Sequence, residues 1–321
     1  MNCTSTRLQY TDTGYFSTII TDYLQKKKEI APFYKHTTDL NGIKAAIEAR
    51  KKFGNHRTTL VAELEKQYAV LQTTDAVKQN IRLLADENTF TITTAHQPVI
   101  FTGTLYFIYK ILHVIKLSAW CKEQLPQYNF VPVFYMGSED ADLDELGSIW
   151  LNNEKIVWDT AQTGAVGRMN TTGLEKIIAR IEGELSVQQY GKELVQLLKD
   201  CYLNSPDIQT ATFKLIDALF ARYGLIVLIS DKPGFKKLLR PVFEDDLFNQ
   251  TSSGIATQTI EQLSAHYKVQ ANPRAINLFY LKDNIRERIE QDGDKWLVVG
   301  KNISFTKETL LLELQQHPER F

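Results

Sequence analysis

The fold is decided by residues 90–136, which read FTITTAHQPVIFTGTLYFIYKILHVIKLSAWCKEQLPQYNFVPVFYM. The first six residues are rich in β-branched and aromatic side chains, as strands are. Apolar side chains then recur at helical spacing from Leu105 to Trp120, and a second apolar run, Phe130–Met136, predicts another strand. A strand, a helix and a strand in this order predict a βαβ unit with parallel strands and a right-handed crossover.

Further elements extend this unit along the chain. Residues 174–222 and about 233–265 have helical patterns, and between them Leu225–Ile229 is a short buried strand. Ile276–Leu281 predicts another strand, and Asp292-Gly293-Asp294 predicts the turn of a hairpin. We therefore predict an α/β fold built on a parallel sheet. Its regions are a mostly helical N-terminal region packed on the core (1–85), the first part of the core (86–160), a mostly helical insertion (161–222) and further core strands and helices (223–321).

The composition excludes several classes of protein. The chain has 321 residues, with 37 Lys and Arg against 38 Asp and Glu, so no basic field would attract nucleic acid. The longest uncharged run, residues 88–109, carries six threonines and other polar groups that lipid would leave without partners. Residues 1–25 lack the basic and apolar segments of a signal peptide. We expect a cytoplasmic protein that binds neither nucleic acid nor membranes.

The cysteines and histidines predict no metal centre. Cys3, Cys121 and Cys201 are widely spaced and form no CxxC pair, which indicates a reducing compartment. No second histidine stands at ligand spacing from His96, because His113 follows 17 residues later inside the predicted helix.

The first candidate site follows the first predicted strand, at the end where open parallel sheets bind ligands. His96 stands there between a strand and the positive end of a helix, where it could donate to a phosphate or move a proton near neutral pH. Gly103 would let a ligand approach the backbone. The alternative is a plain turn, with His96 bonded to neighbouring carbonyls and Gly103 required only sterically.

The second candidate site follows the second strand of the βαβ unit. Five of the eight residues from Ser138 to Glu145 are acidic. Such a cluster could bind a cationic amine, hold Mg²⁺ beside a phosphate or supply a general base. The alternative is a helix start with Ser138 as the N-cap and acids in the first turn. Five close carboxylates exceed what a cap needs, because like charges repel.

Two later segments carry basic residues. The loop from Gly164 to Gly173 contains Arg168 but no phosphate-binding glycine motif, and we interpret it as a plain loop. The segment Asn272–Arg288 mixes arginines with a predicted strand, and its arginines could clamp a carboxylate or phosphate, or pair with surface acids. From this segment we take Arg274 and Asn277 as substrate-binding candidates.

At these residues the sequence resembles the BshC family, the cysteine-adding enzymes of bacillithiol biosynthesis. The resemblance implies a Rossmann-like core with a helical connecting-peptide insertion, similar to class I aminoacyl-tRNA synthetases. It also implies a ligase that joins L-cysteine to the amine of glucosaminyl-malate. The matching stretches, which keep the family's order, are 11–34, 94–109, 131–145, 158–169 and 272–288.

The resemblance also implies roles for the candidate residues. It makes His96, Glu139, Asp140 and Asp142 catalytic candidates, and Gln97, Gly103 and Ser138 substrate-binding candidates. ATP with Mg²⁺ is the cofactor that the likeness to synthetases suggests. Two alternatives stay open: an adenylate-forming nucleotidyltransferase acting on another substrate, and an inactive truncated copy.

The sequence departs from the family in two respects. The family pattern reads E-D-H-D, whereas Ala141 stands here in the place of the histidine. Losing a general acid or base there would cost roughly 10²–10⁴ in rate, unless that histidine only supports the site or His96 covers the task. Family chains also continue beyond residue 321, with further core strands and a coiled coil for dimerisation. We therefore expect a truncated member that lacks this dimer and aggregates through an unpaired strand edge.

Overall fold

The computed structural model describes Thr4 and residues 6–321, which divide into two units. The smaller unit contains the residues up to Asn55 and Asp245–Asn277, and the larger unit contains His56–Glu244 and Leu278–Phe321. The helices are α1 (Tyr10–Thr13), α2 (Thr18–Leu24), α3 (Leu40–Lys51), α4 (Arg57–Tyr68), α5 (Asp75–Leu83), α6 (Leu105–Gln124), α7 (Leu143–Leu146), α8 (Leu174–Leu185), α9 (Gly191–Tyr202), α10 (Ile208–Phe220), α11 (Pro233–Phe248), α12 (Thr251–Ser264) and α13 (Lys307–Gln316). The strands are β1 (Thr89–His96), β2 (Asn129–Met136), β3 (Ser148–Leu151), β4 (Glu154–Val157), β5 (Ile226–Ile229), β6 (Phe279–Lys282), β7 (Ile285–Asp292), β8 (Lys295–Val298) and β9 (Ser304–Phe305).

A parallel sheet of three strands, in the order β1-β2-β5, lies at the centre of the larger unit. The predicted βαβ unit is confirmed, since β1 and β2 pair in parallel and α6 connects them. The sheet is buried by apolar side chains from α4, α5, α6 and α10, which surround Val131, Phe134 and Ile226. The α/β prediction with a parallel sheet is therefore confirmed.

The two outer edges of this sheet differ. Two side chains of α4 bond to the outer edge of β5: the Gln67 amide donates to the Val227 carbonyl and accepts from the Ile229 N–H, and the Tyr68 hydroxyl accepts from the Val227 N–H. On the other side, Thr91, Thr93 and Ala95 of β1 are exposed, and β1 has no second strand partner among the described residues. Side chains therefore cover the β5 edge, whereas at the β1 edge Arg57 and Lys110 donate to the carbonyls of Thr89 and Ala95, and Thr91 and Thr93 between them are exposed.

A second apolar core joins the predicted helical insertion to the loops that follow the strands. Helices α8, α9 and α10 cover it on one side, as their helical patterns predict. Phe101, Leu146 and Val166 enter the same core from the loop after β1, from α7 and from the loop after β4. These loops are therefore supported by a packed helical layer.

The remaining elements show where local patterns were insufficient. The predicted helix 233–265 is two helices, because Gln250 adopts a left-handed backbone with φ 55° between α11 and α12. The strand predicted from Ile276 begins only at Phe279, since the Asn277 N–H donates to Asp246 instead of to a neighbouring strand. The predicted hairpin at Asp292–Asp294 is confirmed as β7 and β8 within an antiparallel sheet β6-β7-β8-β9.

The smaller unit contains α1, α2, α3, α12 and the last residues of α11. In this unit the buried Asp22 accepts a hydrogen bond from the Tyr267 hydroxyl at 3.1 Å and pairs with Lys27 at 2.8 Å. None of the helices in the described part of the chain, Thr4 and residues 6–321, combines the length and the apolar composition that a membrane span needs. Cys121 and Cys201 are buried free thiols, and Cys3 lies outside the described residues.

Candidate functional site

The carboxyl ends of the three parallel strands meet at one edge of the sheet. His96 of β1 is level with Met136 of β2, which is level with Ile229 of β5. The residues that follow each strand are therefore neighbours, and the Gly137 N–H donates to the His96 carbonyl at 3.0 Å. This edge carries both sites predicted from the sequence.

The His96 ring lies half-buried at the start of the loop between β1 and α6. Its Nδ1 is 3.1 Å from the carbonyl oxygen of Gln97, and the ring meets Phe107 of α6 edge to face, with centroids 5.4 Å apart. The contact with Gln97 is the neighbouring-carbonyl bond that the plain-turn alternative expected. When Nδ1 carries the proton and donates it to the Gln97 carbonyl, Nε2 is unprotonated and can act as a base or acceptor.

The end of this loop has an unusual backbone. Phe101, Thr102 and Gly103 have positive φ angles of 52°, 72° and 57°. Such a conformation costs about 1–3 kcal/mol for each non-glycine residue and persists only where the surroundings fix it. The Phe101 N–H donates to the hydroxyl of buried Tyr202 at 2.8 Å. A Cβ at Gly103 would lie 2.3 Å from Cγ1 of Val99, so this glycine is required sterically.

Gln97 connects the two predicted motifs. Its amide Nε2 donates to Oδ2 of Asp140 at 2.9 Å, while Oδ1 of Asp140 accepts from the N–H groups of Ala141 and Asp142. Burial acts to raise the pKa of Asp140, but these hydrogen bonds and the charge of Arg286 outweigh it, so the pKa is lowered. Asp140 is therefore held as an ionised, oriented carboxylate. We call His96, Gln97, Glu139 and Asp140 the strand-end site.

The other residues of the acidic segment have separate contacts. Asp142 is the N-cap of α7 and accepts from the Glu145 N–H at 3.1 Å. The helix-start alternative thus describes Asp142, whereas Ser138, its expected N-cap, does not cap this helix. Ser138 is fully buried, and its hydroxyl has no hydrogen-bond partner. A Cβ on Gly167 would lie 2.4 Å from the Ser138 carbonyl oxygen, so the loop after β4 packs directly on this turn.

An ionic cluster of Glu139, Arg168, Asp231 and Lys236 adjoins the strand-end site. Arg168 binds both carboxylate oxygens of Asp231 at 2.6 Å. Lys236 pairs with Glu139, and its Nζ is 3.8 Å from Asp231. Two positive and two negative charges balance, so Glu139 is already neutralised. Burial lowers the pKa of Lys236 to about 8, against the opposing effect of Glu319.

Sequence reasoning missed three members of this cluster. Arg168 was interpreted as part of a plain loop, yet its guanidinium joins that loop to the residue two positions after β5. A usable signal existed for Asp231, because it follows a buried parallel strand and the carboxyl ends of such strands share one edge. Arg168 and Lys236 carried no comparable signal, since both reach the edge from loops and helices distant in sequence.

Arg274 and Asn277 lie in the smaller unit. Arg274 is exposed. Asn277 donates to Asp246 from both its backbone and its side chain, at 2.7 Å and 3.0 Å, and its side chain also donates to Ser252 at 3.1 Å. From the same segment, the charge that acts on Asp140 belongs to Arg286 of the larger unit.

The described residues contain no group of three or more histidine, cysteine or acidic side chains placed to hold a metal ion. Mg²⁺ bound with phosphates needs only one or two protein carboxylates. Asp140 is an ionised carboxylate fixed at this edge.

Comparisons with known proteins identify related sequences. The family model described as "Bacillithiol biosynthesis BshC, N-terminal Rossmann-like domain" matches residues 1–321. A protein of Flavobacterium johnsoniae named "Putative cysteine ligase BshC" is 43% identical over 316 residues, which cover 98% of this chain and 60% of that relative. A relative of the same name in Cytophaga hutchinsonii is 41% identical over 97% of this chain. Another in Bacillus cereus is 26% identical over 94% of this chain. Each of these two matches covers 58% of the relative. The chain thus spans about 60% of the length of the curated relatives it matches.

Proposed function

Because the chain belongs to the BshC family of bacillithiol biosynthesis, we propose that it is a cytoplasmic ligase that joins L-cysteine to the amine of glucosaminyl-malate. The observation that carries this proposal is the hydrogen bond from Gln97 to Asp140. It joins the two sequence motifs into one strand-end site, as a single reaction centre requires. We further infer that α8, α9 and α10 are the connecting-peptide insertion of a synthetase-like core.

The contacts of the acids indicate which carboxylate receives the amine. Glu139 is neutralised by Lys236, and Asp142 is used as the N-cap of α7. Asp140 accepts hydrogen bonds from amide and backbone N–H groups, and the positive charge of Arg286 favours its ionised form. An ammonium group of the substrate would pair with Asp140, which would orient it. The amine must lose one proton before its nitrogen can attack, and a neutral His96 is the group of the strand-end site suited to accept it.

His96 would serve the other half of the reaction. It stands at the start of the loop that leads into α6, and Nε2 is the ring nitrogen left for a ligand. A protonated His96 would hold a phosphate or carboxylate, and a neutral one would move a proton. ATP with Mg²⁺ is our proposed cofactor and would supply activation of the cysteine carboxyl group.

The proposal is tested by measuring formation of the cysteine–glucosaminyl-malate product from both substrates with ATP and Mg²⁺. We expect His96→Ala to lower the rate by at least about 100-fold, as loss of an acid–base group does. The matched control is His113→Ala, which removes an exposed histidine of α6 and should leave the rate unchanged. Ala141→His should change the rate less than about tenfold, because His96 covers the proton transfer.

A second arm tests the amine assignment. Asp140→Asn should raise KM for glucosaminyl-malate more than KM for cysteine. The control Asp207→Asn alters a carboxylate that caps α10 in the same unit and should change neither value. Equal increases in both KM values would reject the amine assignment. Absence of product from the unaltered protein would reject the ligase proposal itself.

A further inference from the structure

We propose that Tyr202, at the end of α9, is a positioning residue that holds the loop between β1 and α6 in the shape the strand-end site needs. The predicted effect on kcat rests on the proposed function, whereas the predicted effect on the NMR signals of His96 does not. The argument starts from the backbone of Phe101 and Thr102, which are left-handed although neither is a glycine. Residues with such backbones persist where the surrounding structure fixes them, and they concentrate at functional sites.

Tyr202 makes the contacts that fix this backbone. Its side chain is fully buried, and its hydroxyl accepts the Phe101 N–H at 2.8 Å. The two rings also pack together, with centroids 4.5 Å apart. Burial raises the pKa of Tyr202, so the hydroxyl stays neutral and keeps its role in this bond. The loop is thus held at its backbone and at its side chain by one residue.

The anchor is rigid because of where Tyr202 stands. It belongs to the second apolar core, among buried side chains of α8 and α10 such as Ile178 and Leu215. The loop that it holds begins at His96 and includes Gln97, whose amide orients Asp140. A shift of the loop would therefore displace the histidine and release the bond that joins the two motifs. The helical layer therefore contributes to the site, although its residues are distant from the loop in sequence.

Tyr202→Phe tests the proposal, because it removes only the hydroxyl oxygen. The chain offers a matched control in Tyr68→Phe. Tyr68 is also buried, its hydroxyl also accepts a backbone N–H, from Val227 at 2.8 Å, and its ring also packs on a phenylalanine, Phe213, at 4.8 Å. Each variant loses one buried hydrogen bond to a backbone N–H within the same unit. A purely structural role predicts the same consequences for both.

Three measurements on the purified protein decide the matter: the urea midpoint, kcat with both KM values, and the NMR signals of the His96 ring. We expect similar losses of midpoint in both variants. Only Tyr202→Phe should lower kcat, by at least tenfold, and shift the His96 signals. Unchanged His96 signals and kcat in Tyr202→Phe, or an equal loss of kcat in Tyr68→Phe, would overturn the proposal.

A rescue variant covers the case in which Tyr202→Phe folds poorly. Glycine adopts a positive φ without steric cost, so Thr102→Gly should stabilise the loop without the anchor. Added to Tyr202→Phe, it should restore the His96 signals and most of kcat. A double variant that regains stability but not the His96 signals would overturn the positioning role. If the unaltered protein makes no product, the ligase proposal fails, while the His96 signals still decide the role of Tyr202.

Discussion

Replacing Arg168 with methionine removes the guanidinium that ties the loop after β4 to the residues after β5. Asp231 would lose two hydrogen bonds of 2.6 Å while its side chain stays only 3% exposed. Removing one partner of a buried ion pair costs about 3–5 kcal/mol. Arg168 is itself 26% exposed, and Lys236 lies 3.8 Å from Asp231 and shares its charge. We therefore expect a loss of about 2–3 kcal/mol in the free energy of unfolding.

This loss can be measured by urea and thermal denaturation. For a unit of this size it corresponds to a fall in Tm of about 4–12 °C. The matched control is Arg180→Met, whose guanidinium pairs with Glu154 where both side chains are more than half exposed, and which should cost less than about 1 kcal/mol. Combining Arg168→Met with Asp231→Asn should reveal a coupling of at least about 1 kcal/mol. If Arg168→Met costs no more than Arg180→Met, the cluster contributes nothing and the reasoning is wrong.

Three further predictions concern charge, backbone and surface. Despite burial, the pKa of Asp140 is lowered from its ordinary value of 3.8, so its ionised form stabilises the fold above pH 3.8. This contribution is lost as the pH falls through the lowered pKa. The difference in unfolding free energy between the unaltered protein and Asp140→Asn should therefore shrink steadily below pH 3.8. Gly103→Ala should lower the free energy of unfolding in urea by about 1–3 kcal/mol, because the φ of residue 103 is positive and a Cβ there would clash. The control Gly183→Ala lies within a helix and has open space for a Cβ, and it should raise the free energy of unfolding by about 0.5–1 kcal/mol. The chain should self-associate in sedimentation experiments through the exposed middle of the β1 edge and the exposed apolar face of α6. Tyr109→Lys on that face should reduce association and Val187→Lys should not, and a monodisperse unaltered monomer would contradict this.

The local patterns of the sequence determined the elements around the site. Between residues 90 and 136, a stretch rich in β-branched residues predicted β1, a helical spacing predicted α6 and a continuous apolar run predicted β2, because each pattern depends on which side chains one strand or helix can bury by itself. Parallel pairing then followed from the connection, and it brought His96 and Asp140 to the same edge. The sequence alone therefore predicted that the two motifs lie at the same edge of the sheet.

Tertiary structure alone decided what each charged side chain does there. Nothing in their spacing distinguishes Glu139, Asp140 and Asp142, yet one pairs with Lys236, one accepts from Gln97 and one caps a helix. These partners come from elements up to about a hundred residues away, brought close by the packing of the sheet and the helical layer. Hydrogen bonds and ion pairs depend on distances of a few ångströms between such elements, and a local pattern records only the neighbours along the chain. For that reason the sequence determined the elements and the edge where they meet, and only the folded chain determined which carboxylate remains for a ligand.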